Sequence, residues 1–229
     1  MGRKDCFDYE REQVLAHWRA VNPERLLVRS DSLIKNVNRG DLTALGQSIR
    51  RFHNQLGYQA WGRLEDGGQC AGCLYRSAAF IKVNAEDRRS KEEDGLPVTI
   101  HLEHTIPVAT WIGQLQELVA RGANRDEILR VVLANSIAVG VHFMQRHGDG
   151  NLVKPGLNAH SHVFTSGHED EGFPFRRYRE VDDPDYKIIN VVTGEQVNLQ
   201  THTLEQARAD LVELVKQSGN DKGLLDWLI

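Results

Sequence analysis

An α+β fold, mainly helical with a small β component, is predicted by three observations. Apolar residues recur at helical spacing in several stretches, the run 98–102 (Val-Thr-Ile-His-Leu) has strand length and β-branched residues, and Thr193-Gly194 sits between two short extended segments. The chain has 229 residues, 40% hydrophobic and 26% charged, enough for one well-cored domain or a domain with a helical extension. No internal repeat or low-complexity tract interrupts it.

The first third reads as helical. Over residues 9–21 Val14, Leu15, Trp18 and Val21 share a face, and Asn22-Pro23 forces a break because proline disfavours helix in the residue before it. Asp41 is placed to cap a second amphipathic stretch carrying Leu42, Leu45, Ile49, Phe52 and Leu56, with Gly57 as its terminator. Residues 57–72, rich in glycine and polar side chains, read as a loop, and the charge-dense 84–95 reads as an exposed one. After the strand, Pro107 suits the first turn of a helix with Trp111, Leu115, Leu118 and Val119 on one face and Gly122 at its end. Asn124 with Glu127 forms a capping box for the next helix, whose continuation at residues 136–143 reads equally as helix end or buried strand. Residues 148–172 are polar, glycine-containing and histidine-rich, as in a long irregular connection. Residues 186–192 and 196–199 form a hairpin around Thr193-Gly194, and Thr203 with Gln206 opens a last helix carrying Leu204, Ala207, Leu211 and Leu214.

No apolar stretch is long enough to span a bilayer and no apolar core follows the basic residues near Met1, which predicts a cytoplasmic protein without a membrane partner. Three cysteines, Cys6, Cys70 and Cys73, are too few for a disulfide framework, so reduced thiols are expected. The net charge of -4 argues against indiscriminate coating of nucleic acid but leaves room for a local basic cleft. Arg50-Arg51, Arg88-Arg89 with Lys91, and Arg176-Arg177 with Arg179 are the candidate basic patches.

The chemistry concentrates at Glu103-His104, at the end of the strand run and followed by Thr105-Ile106-Pro107. A carboxylate and an imidazole in one site can hold a divalent cation and remove a proton from water. Strict alternation would point Glu103 and His104 apart, so a shared site requires the chain to turn at about His104. Cys70-Ala71-Gly72-Cys73 has the two-residue spacer that lets both thiolates reach one zinc ion, with Cys6, His160, His162 or His168 to complete a tetrahedral set; two unrelated buried cysteines are the alternative. A zinc-hydrolase helix built on His101, Glu103 and His104 is disfavoured because the segment reads as strand. The acidic loop at His168-Glu169-Asp170-Glu171 is explained by solvation, and no glycine-rich phosphate loop, dinucleotide fingerprint or nucleophile-elbow serine is present.

Cys70 and Cys73 followed by Glu103-His104-Thr105-Ile106-Pro107 resemble the HNH, or ββα-metal, endonucleases. The resemblance covers at most residues 70–178 and its matched part is those few residues. It implies a ββα-metal-like site with a helical insertion, His104 as the general base, and Glu103 as ligand to magnesium or manganese. It also implies a later Asn and His, for which Asn158, His160 and His162 are the candidates, and Arg176 or Arg177 on the phosphate, with Tyr178 next to them. Asn135 is a weaker candidate because it lies in an apolar helical segment, where packing or capping explains it. The sequence departs from the pattern because two helices follow His104 where a compact hairpin is usual.

These residues predict three regions: a helical N-terminal region (1–57), an HNH-like catalytic core with a helical insertion (58–200) and a C-terminal helix (201–229). The expected activity is metal-dependent hydrolysis of phosphodiester bonds, with DNA as the partner by family resemblance, a structural zinc at the cysteines, and a homodimer allowed. The rival expectation is a non-catalytic, zinc-stabilised nucleic-acid-binding or regulatory protein in which Glu103-His104 is structural.

Overall fold

Capping chemistry places most of the helices where the sequence puts them. In the computed structural model, which describes residues 3–142, 172–178, 186–220 and 223–229, α1 spans Arg3–Ala20, and Asn22 then caps α2 (Pro23–Asn38) by accepting from Glu24 N at 2.9 Å. The break at Asn22-Pro23 is therefore also the start of a helix, with proline in the first turn where its missing N–H costs nothing. Asp41 accepts from Ala44 N at 2.9 Å and opens α3 (Leu42–Gln55). The short strand β1 (Tyr75–Ser77) runs into α4 (Ala78–Ile81), capped by Ser77. Then come β2 (Ile100–His104), α5 (Val108–Ala120), α6 (Arg125–Asn135), β3 (Ala138–His142), β4 (Ile188–Asn190), α7 (Leu204–Ser218) and α8 (Leu224–Leu228). Both expected capping boxes, at Asn124 and Thr203, are formed. The open choice at residues 136–143 falls to strand: α6 stops at Asn135 and β3 begins three residues later.

The sheet is four-stranded and mixed, in the order β2-β3-β1-β4. β3 runs parallel to β1 and antiparallel to β2, and β4 is antiparallel to β1. β2 and β3 are thus neighbours in the sheet although α5 and α6 lie between them in sequence. The hairpin expected around Thr193-Gly194 is present as one bridge, Ile189 to Gln196, while β4's ladder partner is β1.

Cross-strand neighbours share a face. Arg76, Ile189, Gly140, Ala138, Leu102 and His104 therefore face one side, and Tyr75, Ser77, Asn190, Val139, Glu103 and His101 the other. The first face meets the loop at Cys70 and helix α4. A Cβ at Gly140 would sit 3.2 Å from Cys70 Cβ and 3.3 Å from the Phe80 ring, so a larger residue here would have to push these neighbours away from β3. Gly72 is constrained more severely, since a Cβ there would run into the Leu56 carbonyl, and its own carbonyl accepts from Trp18 Nε1 at 2.8 Å. The opposite face is covered by residues 172–178 and the start of α7. Tyr75 packs edge-on against Phe175 with ring centroids 4.8 Å apart and donates its hydroxyl to Asp210 at 2.7 Å. Buried side chains from Val14 in α1 to Leu224 in α8 form one continuous cluster, so the three regions read from the sequence share a core.

An ion triad lies inside that core. Glu10, one turn before Val14 on α1, pairs with both Arg76 and Arg88, and all three side chains are buried. Arg76 also donates to the carbonyls of Cys73, Cys70 and Ala71, Arg88 donates to Val83 O at 3.2 Å, and both guanidiniums lie over the Phe80 ring. This corrects the expectation of an exposed basic patch at Arg88-Arg89: Arg89 stays outside, but Arg88 is drawn in by the Glu10 carboxylate. No helix among the described residues is long and apolar enough to cross a membrane.

Removing one partner of a buried ion network leaves charge uncompensated, which costs about 3–5 kcal/mol. Glu10→Ala is expected to lower Tm by roughly 6–20 °C for a chain of this size, measured by calorimetry. An unchanged Tm would mean that the two guanidiniums do not depend on Glu10.

Candidate functional site

β2 stays extended and paired through its last residue. His104 lies opposite Ala138, and the chain turns only at Thr105, whose N–H and hydroxyl both donate to Ile137 O at 3.0 and 3.1 Å. A single site for Glu103 and His104 requires a turn one residue earlier. The pairing with β3 prevents it, because breaking it would strand backbone donors and acceptors in the interior. Glu103 and His104 therefore project from opposite faces of the sheet.

On its own face Glu103 is joined by His101, two residues back along the strand, with Nε2 3.1 Å from Glu103 Oε1. The carboxylate is nearly buried, its side chain 9% exposed, whereas the imidazole is 35% exposed. A buried carboxylate holding a half-open imidazole fixes the orientation of the ring, the arrangement used to position a general base. His101 was not among the residues favoured by sequence; the alternation of β2 was the signal that could have selected it.

On the helical face His104 stacks on His53 of α3, with ring centroids 4.5 Å apart and an interplanar angle of 32°. His53 is buried and fixed from below. Ser136 Oγ donates to Val132 O at 2.6 Å, so it accepts from His53 Nε2–H at 3.0 Å. That assigns the remaining nitrogen, Nδ1, as an unprotonated acceptor, and it has no hydrogen-bond partner among the described residues. Burial, and then the neighbouring His104, hold His53 well below the usual imidazole range.

Cys70 and Cys73 are fully buried, and Cys73 N donates to Cys70 O at 3.0 Å across a tight turn. Cys70 Sγ donates to His101 O at 3.8 Å, linking the pair to β2. Burial, then the hydrogen bond and charge of Cys70, push the Cys73 thiol well up. Cys6 lies elsewhere, on α1 one turn before Glu10, lining a cavity of about 440 Å³ with Tyr9, Ile81 and Val83. Asn158, His160, His162 and His168 lie outside the described residues. Arg176 donates to Gln200 O at 2.8 Å and lies 3.8 Å from the centroid of the Phe173 ring; Arg177 is in the same turn, with its side chain outside the described set, as is Arg179. Tyr178 is buried beside Phe175, and Asn135 accepts from Arg208 Nε at 2.9 Å, a packing role.

A second polar group sits beside Tyr75. Asp210 receives the Tyr75 hydroxyl and lies 3.3 Å from His202 Nε2. Burial pushes the Asp210 carboxyl up, but hydrogen bonds from His202, Tyr75 and Asn190 and the His202 charge bring it below its ordinary value.

As metal donors, the described residues offer the Glu103 carboxylate and the His101 imidazole on one face, a hard oxygen and a nitrogen that suit magnesium or manganese with further ligands. Among the described residues no group of three or more His, Cys, Asp or Glu side chains gathers to hold a metal ion.

The depressed His53 value fixes a pH dependence. Its folded pKa lies below the unfolded value near 6.5, so between the two the unfolded chain binds more protons and stability falls as pH drops below about 6.5. His17 and His142, lowered by burial, act in the same direction. His53→Gln is expected to show a smaller fall in Tm between about pH 7 and pH 5 than the parent chain. An identical fall would remove His53 from this role.

Comparison of the chain with protein-family models, with characterised proteins and with solved structures gives no match, so the function must be read from the site itself.

Proposed function

We propose that this chain is a metal-dependent hydrolase of phosphodiester bonds centred on Glu103. The observation that carries the reading is the His101–Glu103 pair: a nearly buried carboxylate 3.1 Å from a half-open imidazole on a strand face. The adjacency of β2 and β3 adds support, since it makes an antiparallel pair out of strands separated by the two inserted helices, as the HNH resemblance expects. In this reading His101, oriented by Glu103, takes the proton from the attacking water. Glu103 would help to hold a divalent cation, with Asn158, His160 and His162 as the further candidates. When bound, the cation would supply charge stabilisation at the phosphoryl oxygens. His104 is the base that the family resemblance would choose, but its stacking on His53 favours a supporting role. DNA as substrate, and Arg176 or Arg177 at the phosphate, remain part of the proposal.

Plasmid cleavage with added magnesium or manganese tests this. His101→Ala and Glu103→Gln are expected to reduce the rate by about two to four orders of magnitude, with far-UV circular dichroism unchanged. His104→Ala is expected to reduce Tm more than rate. Loss of activity with His104→Ala and not with His101→Ala would return the base to His104, and no cleavage by the parent chain with either metal would end the hydrolase reading.

One observation favours the second reading, a zinc-stabilised binding or regulatory protein: Cys70 and Cys73 are both fully buried around one tight turn. Replacing both with Ser is then expected to lower bound zinc and Tm together. Unchanged zinc content would leave the pair as core packing.

A further inference from the structure

The acidic chain carries a basic groove on its helical side. Where α2 and α3 pack as a hairpin, Asn36 Nδ2 donates to Ser48 Oγ at 2.8 Å and to Ala44 O at 3.4 Å, tying the two helices together. Over this junction lies a recess of about 190 Å³ whose walls include Arg29 and Lys35 from α2, Arg39 at its C-cap and Arg51 from α3, with no carboxylate among the described residues that line it. None of these four cations pairs with a carboxylate among the described residues. Arg29 also lines a neighbouring recess of about 450 Å³ with Arg25, where Glu24 is the only acidic residue among the described ones that line it. From Arg25 in α2 to Arg39 at its C-cap the basic face runs roughly 21 Å, at about 1.5 Å per residue.

Like charges held side by side cost stability in the free protein, and here they gather on the surface of a chain whose overall charge is -4. We infer that the α2–α3 groove binds the phosphodiester backbone of a nucleic acid, independently of base sequence. The cations line a small, polar recess from both helices of the hairpin, which suits one strand of a ribbon-shaped polyanion better than a flat anionic membrane. Three of the four are arginines, whose planar forks match phosphate oxygens in pairs. Asn36 and Ser48 at the floor supply neutral polar groups of the kind that also meet the backbone. The inference rests on the nucleic-acid partner proposed above and adds a surface that neither His101 nor Glu103 lines, which holds the substrate without taking part in its chemistry.

Binding is measured by fluorescence anisotropy on the full chain with a short labelled DNA duplex. EDTA is present so that cleavage plays no part, and salt is varied between about 50 and 200 mM. Replacing Arg29, Lys35, Arg39 and Arg51 together with Gln is expected to make the slope of log affinity against log salt shallower by roughly 3 to 4, since each phosphate left without its cation removes about 0.9. The pair Lys35→Gln with Arg39→Gln, both on exposed positions, is expected to give about half that change and guards against misfolding of the larger variant. Arg→Lys at 29, 39 and 51 is expected to retain most of the slope. An unchanged slope in the Gln variants overturns the groove, as does DNA binding that they leave intact while they lose binding to phosphatidylserine vesicles or a poly-glutamate peptide. Glu103→Gln is expected to keep the parent slope, so loss of hydrolysis and loss of groove binding are read separately.

Discussion

Two guanidinium groups buried side by side repel each other, and their burial removes them from the screening of bulk solvent. Arg76 enters from β1 and Arg88 from the loop after α4, both over the Phe80 ring, and the anion between them is Glu10 of α1. Arg76 directs its remaining donors to the carbonyls of Cys70, Ala71 and Cys73, so the same side chain fixes the cysteine turn against the sheet. The Cys70 backbone sits at positive φ, and its Cβ lies where a side chain on Gly140 of β3 would crowd it. The position of α1, the shape of the cysteine turn and the close approach to β3 are consequently linked through one carboxylate. Arginines keep their charge under all ordinary conditions, so the core must supply this counter-ion or lose the arrangement.

The sheet built on that foundation separates two imidazole environments that are three residues apart in sequence. His101 is half-open beside a carboxylate, while His104 packs against a buried His53 that must stay neutral. Strand alternation does this with no specialised residue: a pair of side chains adjacent in sequence is divided between a polar face and a packed one. The Cys70 thiol, donating to His101 O, ties the backbone beneath the polar face to the triad's side of the sheet. Charge is divided in a similar way at the surface, with the cations of the α2–α3 groove on the helical side and the Glu103 pair on the other strand face.

Local chemistry determined most of the helical layer. Asp41, Asn124 and Thr203 cap helices as their side chains allow, Pro107 and Gly122 bracket α5, and of the apolar positions read along α1 and α3 all but the half-exposed Leu42 are buried, because capping and periodicity depend on residues within one turn. The strand at Glu103-His104, the zinc-type cysteine spacing and the strand alternative at residues 136–143 were likewise present in the order of residues. Even Glu10 was accessible in principle, since it shares a helix face with Val14 and Trp18, which are buried.

Only the tertiary structure decided how these pieces meet. Arg88 lies in a segment as charged as any exposed loop, and its burial depends on a carboxylate 78 positions away. Whether the chain turned at His104 or one residue later depended on hydrogen bonds to β3, which lies beyond two helices, so the partner of Glu103 became His101 and that of His104 became His53. The basic groove required α2 and α3 to fold back on each other, bringing Arg29 and Arg51 to one recess. In each case the controlling interaction is long-range, and a sequence read in windows of a few turns carries the residues but not their distances.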